Sequence, residues 1–165
     1  MIAEDEAAYR LVFRSWATEI SPGTICLLSP CGEQTRFMKE TFPNSSVTSL
    51  FKDDWDLNQT APKTFDLVAA MNVFMYSDNP RLWFRNTLAA CKLMWLQDLI
   101  VRKRDKSSEF GQDGDKARFR YLAEGFEGAF DLSGVPVERF CSYDAGIPNG
   151  VRSVHFLAQI KGSLT

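Results

Sequence analysis

The chain has 165 residues, 24% of them charged, and a formal net charge of −2 at pH 7, which gives no electrostatic reason to expect nucleic acid or an anionic membrane as partner. Apolar residues make up 45% of it, yet no run of them approaches the roughly 20 that a membrane span needs. The four cysteines form no CxxC pair and there is one histidine, so the usual zinc ligand sets are missing. Thirteen Phe and four Trp suit a well-filled core. The length predicts a single domain over residues 1–165, and with no signal-peptide pattern a reduced, cytoplasmic setting is expected.

In chain order, Tyr9, Val12, Phe13, Trp16 and Ile20 recur at helical spacing and predict an N-terminal helix within residues 1–22, over 4–20. Ser21-Pro22-Gly23 ends it. An apolar run predicts a strand over 24–29. A charged amphipathic stretch from 34 to 42 follows, with Phe37, Met38 and Phe42 as its buried stripe. A short strand is expected over 46–51, then a polar loop over 52–63 containing Asp53-Asp54-Trp55. Residues 65–74 are the strongest strand signal, a near-continuous apolar run of the kind buried on both faces. Asp78-Asn79-Pro80 predicts an N-cap and an early helical proline, with the helix running to Cys91. Another apolar strand is expected over 93–101. Residues 103–116 read as a polar, mobile loop, and 117–130 as a helix. Two alternating segments, 137–142 and 151–160, predict a closing pair of strands.

Helices alternating with strands through the first hundred residues predict an α/β fold with a mostly parallel sheet. The closing strands are near enough in sequence to pair antiparallel, so the sheet should be mixed. Ligands in such sheets bind beyond the carboxyl ends of the strands. The residues to watch are therefore 29–33, 53–55 and 71–78.

Two of these stretches, "TICLLSPCGEQTRFM" and "FDLVAAMNVFMYSDNPRLWFRNTLAAC", resemble the first motif and the fourth-strand region of class I S-adenosylmethionine-dependent methyltransferases, in particular small bacterial members. The resemblance implies a Rossmann-like sheet, mostly parallel with an antiparallel C-terminal strand and helices on both faces. It implies S-adenosylmethionine as cofactor and a small-molecule or sugar-type methyl acceptor. The cofactor positions it implies are Ser29, Pro30, Cys31, Gly32, Glu33, Asp53, Asp54, Trp55, Met71 and Asn72. Ser29 offers a hydroxyl, Cys31 and Gly32 offer backbone amides, and Glu33 a carboxylate for the methionyl amine. Asp54, or Asp53 with an offset of one, would take the adenine amine while Trp55 stacks; the other reading is an acidic turn with Trp55 capping the core.

Acceptor positions implied are Tyr76, Asp115 and Arg118, with Tyr76 the one catalytic candidate. An aromatic face there would favour a sulfonium charge. Met75 suits a packing loop, and "DGDKARFRY" suits a capping sequence as well as an acceptor site. His155, alternating with Val154 and Phe156, reads as a structural strand residue.

The departures from the family are specific. Leu28 stands where the first strand usually ends in an acid, and Pro30 and Gln34 stand where glycines are usual. Ser49, Leu50, Phe51 and Lys52 occupy the region of the ribose-holding acid. A helix and a strand usual after the second strand are absent or merged. These losses keep open a second reading, a non-catalytic domain of the same fold that binds a partner or another ligand. A monomer or homodimer is expected, and no metal.

Overall fold

The computed structural model describes residues 21–71, 73, 74, 77, 79–101, 109–113, 116–119, 135, 137–146 and 151–161. The expected N-terminal helix lies outside them, as do Asn72, Met75, Tyr76, Asp78 and Asp115. The described elements are β1 (Thr24–Leu28), α1 (Gly32–Thr41), β2 (Ser46–Leu50), β3 (Phe65–Met71), α2 (Pro80–Leu88), β4 (Cys91–Val101), β5 (Glu109–Asp113), β6 (Lys116–Phe119), β7 (Val137–Gly146) and β8 (Val151–Ile160). Six strands form one sheet in the order β2-β1-β3-β4-β8-β7. β2, β1, β3 and β4 are mutually parallel, while β8 is antiparallel to both β4 and β7. This is the mostly parallel sheet with an antiparallel C-terminal strand that the sequence predicts.

The period-two alternation of a strand divides each central strand between two cores. Ile25 and Leu27 join Leu67, Ala69, Leu93 and Trp95 under Phe37 and Met38 of α1. Cys26 and Leu28 join Val68, Ala70, Met94 and Leu96 under Phe84 and Leu88 of α2. The two helices thus cover opposite faces, and burial on both sides explains the unbroken apolar runs of β1 and β3. Trp95 is fully buried, its ring tilted 58° at 6.4 Å from Phe37. Phe74, just past β3, packs against Trp83 at 5.6 Å and Phe84 at 4.6 Å. Each such side chain stabilises the fold by about 1.5–3 kcal/mol.

At the amino ends of the parallel strands, one carboxylate gathers three chain segments. Asp66 Oδ2 accepts from the amides of Gly23 at 2.8 Å and Thr24 at 3.0 Å, and Lys92 Nζ lies 2.9 Å from Oδ1. The Asp66 amide in turn donates to Thr24 Oγ1 at 3.0 Å. Burial pushes the carboxyl's pKa up, but Lys92 and the Thr24 and Gly23 amides outweigh it, so it is held below its ordinary value.

Two expectations fail here. α2 starts as predicted, with Asn79 Oδ1 accepting from the Leu82 amide, but it ends at Leu88 rather than Cys91. The Phe65 amide donates to the Ala90 carbonyl, so the sheet claims the backbone at that point, and Cys91 opens β4. Further on, the described residues 109–113 and 116–119, which fall in the mobile loop expected over 103–116 and the start of the helix expected from 117, are instead β5 and β6, an antiparallel pair with a register irregularity between Glu109 and Gln112. β5 is mostly polar, and β6, though it alternates, has only four residues, so the pair gives little apolar signal in sequence. Arg118 accordingly falls in β6 and not on a helix. Residues 51–64, between β2 and β3, contain neither helix nor strand, and among the described residues β2 is an edge of the sheet. Among the described residues no helix is long and apolar enough to cross a membrane.

Candidate functional site

The carboxyl ends of β1 and β2 lie side by side. Just past β1, the Ser29 amide donates to the Leu50 carbonyl at 2.8 Å, and Ser29 itself takes a left-handed conformation with φ 45°. That conformation costs a residue with a Cβ about 1–2 kcal/mol, and such strain clusters at ligand clamps. Here it turns the chain sharply out of the sheet into α1. A Cβ added at Gly32, the first residue of that helix, would meet nothing within 4 Å. The space outside this turn is open, and Cys31, Gly32 and Glu33 are all exposed.

Gln34 has a definite role at this turn. Its Oε1 accepts from the Cys31 amide at 2.9 Å, forming the side-chain half of a capping box. One of the two backbone amides that the sequence left for a ligand is therefore already bonded within the chain. The Gln34 side chain is folded back onto its own cap, and Pro30 is half-buried beside it.

Past β2 the chain makes a single turn. The Phe51 carbonyl accepts from the Asp54 amide at 2.9 Å and the Trp55 amide at 3.0 Å. Asp54 Oδ2 accepts from the Phe51 amide at 2.9 Å, so this carboxylate closes its own turn. Trp55 is 5% exposed, packs in the core on the α2 side, and donates from Nε1 to the Gln59 carbonyl. Of its two sequence readings, this is the core-capping one, because its ring has almost no open face. Asp53 is exposed. The loop beyond is pinned to α2, where Trp83 Nε1 donates to Asn58 Oδ1 at 3.1 Å and Asn86 Nδ2 to the Leu57 carbonyl at 2.8 Å.

The structure thus brings Ser29, Pro30, Cys31, Gly32 and Glu33 to the same sheet edge as Asp53 and Asp54. Met71 is buried in the core beneath α1 and ends β3, whose Ala70 pairs with Leu28, so it borders the turn at Ser29. Asn72, Tyr76 and Asp115 lie outside the described residues. The residue that sequence reasoning passed over is Phe51, which is 51% exposed at the end of β2. Its only signal is an aromatic side chain directly before the polar run Lys52-Asp53-Asp54. Two cysteines are excluded as nucleophiles. Burial pushes the Cys26 thiol up to about 12 and also raises Cys91, so both stay protonated at neutral pH.

With this geometry in place, the fold is that of the class I S-adenosylmethionine-dependent methyltransferases. Coclaurine N-methyltransferase bound to N-methylheliamine and S-adenosylhomocysteine superposes with a TM-score of 0.67 and 13% identity, over 96% of this chain and 74% of that one. The N-terminal domain of EvdMO1, in the presence of S-adenosylhomocysteine and D-fucose, gives 0.61 and 9% identity, over 92% and 82%. The [4+2]-cyclase SpnF gives 0.56 and 11%, over 93% and 82%. No protein-family model and no curated protein matches the sequence.

Proposed function

We propose that this chain binds S-adenosylmethionine at the carboxyl ends of β1 and β2 and transfers its methyl group to a small-molecule or sugar-type acceptor. The observation that carries the reading is the turn at Ser29–Gly32. It is strained, exposed and open on its outer side, and neighbours of this fold are recorded with S-adenosylhomocysteine. The residues present fit such a group. Gly32 leaves its approach clear, and Gln34 is turned back onto Cys31 and away from that approach. The Gly32 amide and the Glu33 carboxylate would hold the amino-acid part, and residues 51–54 would flank the adenosyl part.

When bound, S-adenosylmethionine supplies an electrophilic methyl group on a sulfonium, which an acceptor atom takes by in-line displacement. The chain's part is to orient and to exclude water. β1 and β2 hold the two turns at a fixed spacing through the Ser29–Leu50 hydrogen bond. The sugar-type acceptor is supported by D-fucose in the EvdMO1 structure, and the cytoplasmic setting by the free cysteines Cys26, Cys31 and Cys91; the monomeric or homodimeric state is part of the same proposal.

A second reading is favoured by specific residues. Leu28, Pro30 and Gln34 replace ligand-facing types, and Gln34 consumes the Cys31 amide. A fold does not fix a chemistry, and SpnF is a cyclase on this one. That reading makes the chain a non-catalytic binding domain. Isothermal titration with S-adenosylmethionine and S-adenosylhomocysteine separates the two. Micromolar binding, with methyl transfer to an acceptor, supports the enzyme; absence of heat at millimolar ligand supports the binding domain.

A further inference from the structure

We propose that two copies of this chain pair through their β2 edges into one continuous sheet, whether or not a ligand is bound. The two ends of the β1–β2 ladder set the alternation along β2. The Ser46 amide donates to the Gly23 carbonyl, and the Leu50 carbonyl accepts from the Ser29 amide. In a parallel ladder this makes Ser46, Thr48 and Leu50 turn their backbone groups toward β1. Val47 and Ser49 therefore turn their amides and carbonyls outward. Among the described residues no strand pairs with that side of β2. β2 has no charged residue and no proline, the usual devices that keep an edge from pairing.

The occupant that fits this edge is the same edge turned half round. A two-fold axis through Thr48, perpendicular to the sheet, sets Val47 against Ser49 of the second copy and Ser49 against its Val47. Each of these pairs exchanges both hydrogen bonds. Thr48 then meets Thr48 of the second copy in a non-hydrogen-bonded pair, where side chains come closest and threonine pairs are favourable. Charge is complementary too. α1 has Glu33 in its first turn and Lys39 in its last, both exposed. Because α1 runs back from the carboxyl end of β1 to the start of β2, the half-turn sets the acidic start of each α1 level with the basic end of the other. Phe51, which is 51% exposed, ends the pairing edge. So short an edge buries less than the roughly 1,600 Å² of a standard interface, so the dimer should be weak, with a dissociation constant in the micromolar range.

The experiment is sedimentation velocity of the full chain from about 1 μM to about 1 mM, without ligand. The wild type should pass from one chain to two across that range. Ser49→Pro removes an outward donor and leaves the bonds to β1 in place, and it should weaken association roughly tenfold or more. Thr48→Lys and Thr48→Glu each set like charges against one another on the axis, so each alone should remain a single chain. An equimolar mixture of the two should associate again. Circular dichroism reports whether each variant is folded, and either set decides the matter if the other fails to fold. A wild type that stays a single chain up to about 1 mM overturns the proposal. So does a folded Ser49→Pro that associates as tightly as the wild type, or a mixture of folded Thr48 variants that does not associate.

Discussion

The two ends of the parallel sheet differ in how their polar groups are used. At the amino ends, Asp66 collects Gly23, Thr24 and Lys92, and the Ser46 amide donates to the Gly23 carbonyl. At the carboxyl ends, hydrogen bonds close the individual turns, while Gly32 faces open space and Phe51 and Asp53 are exposed. The amino end is satisfied within the chain and serves stability. The carboxyl end keeps surface uncommitted at some energetic cost, as binding sites do.

Substitutions should separate the two ends. The largest effect on stability is expected from Asp66→Ala, which removes a charged acceptor from several donors and should cost about 2–3 kcal/mol in urea unfolding. Its affinity for S-adenosylhomocysteine should stay unchanged. The same carboxylate sets a pH dependence. Its folded-state pKa is depressed below the ordinary 3.8, so its contribution is present above that pH and lost as pH falls through the folded value. Wild-type stability should therefore fall more steeply below about pH 4 than that of Asp66→Asn. A parallel fall in both would remove Asp66 from this role.

Gly32→Ala should act the opposite way. The added methyl meets nothing in the free protein, and alanine favours a helix by about 0.8–1 kcal/mol over glycine in its interior, less at a first turn. Thermal stability should hold or rise slightly while ligand affinity drops roughly tenfold, as a Cβ fills the approach. The smallest effect is expected at Ser29. Ser29→Gly relieves the left-handed strain and should stabilise by up to about 1 kcal/mol, net of the extra chain entropy of glycine. A destabilised Ser29→Gly would mean that the hydroxyl, and not the backbone turn, matters there.

The same contrast explains what could be read in advance. β1 and β3 were legible as short unbroken apolar runs and α1 and the closing pair by their periods, and β8 keeps its predicted bounds. The β5–β6 pair was hidden because "EFGQD" is mostly polar and "KARF", though it alternates, is only four residues long, and their pairing depends on contacts that no local pattern records. In the site, the turn after β1 could be placed from "SPCGE", but the use made of each polar group could not. Asp54 looks like a free ligand group in sequence and Gln34 like an intruder at a glycine position, yet each bonds a backbone amide three residues away. Phe51 was passed over because an aromatic at a strand end is ordinarily core, while here it follows β2, which among the described residues is the edge of the sheet.

Amide hydrogen exchange with and without saturating S-adenosylhomocysteine tests the account most directly. Slower exchange should appear at residues 29–33 and 51–55, with Gly23, Thr24 and Asp66 unchanged. Protection at the amino-end residues, or bound ligand that leaves both carboxyl-end turns unprotected, would contradict it.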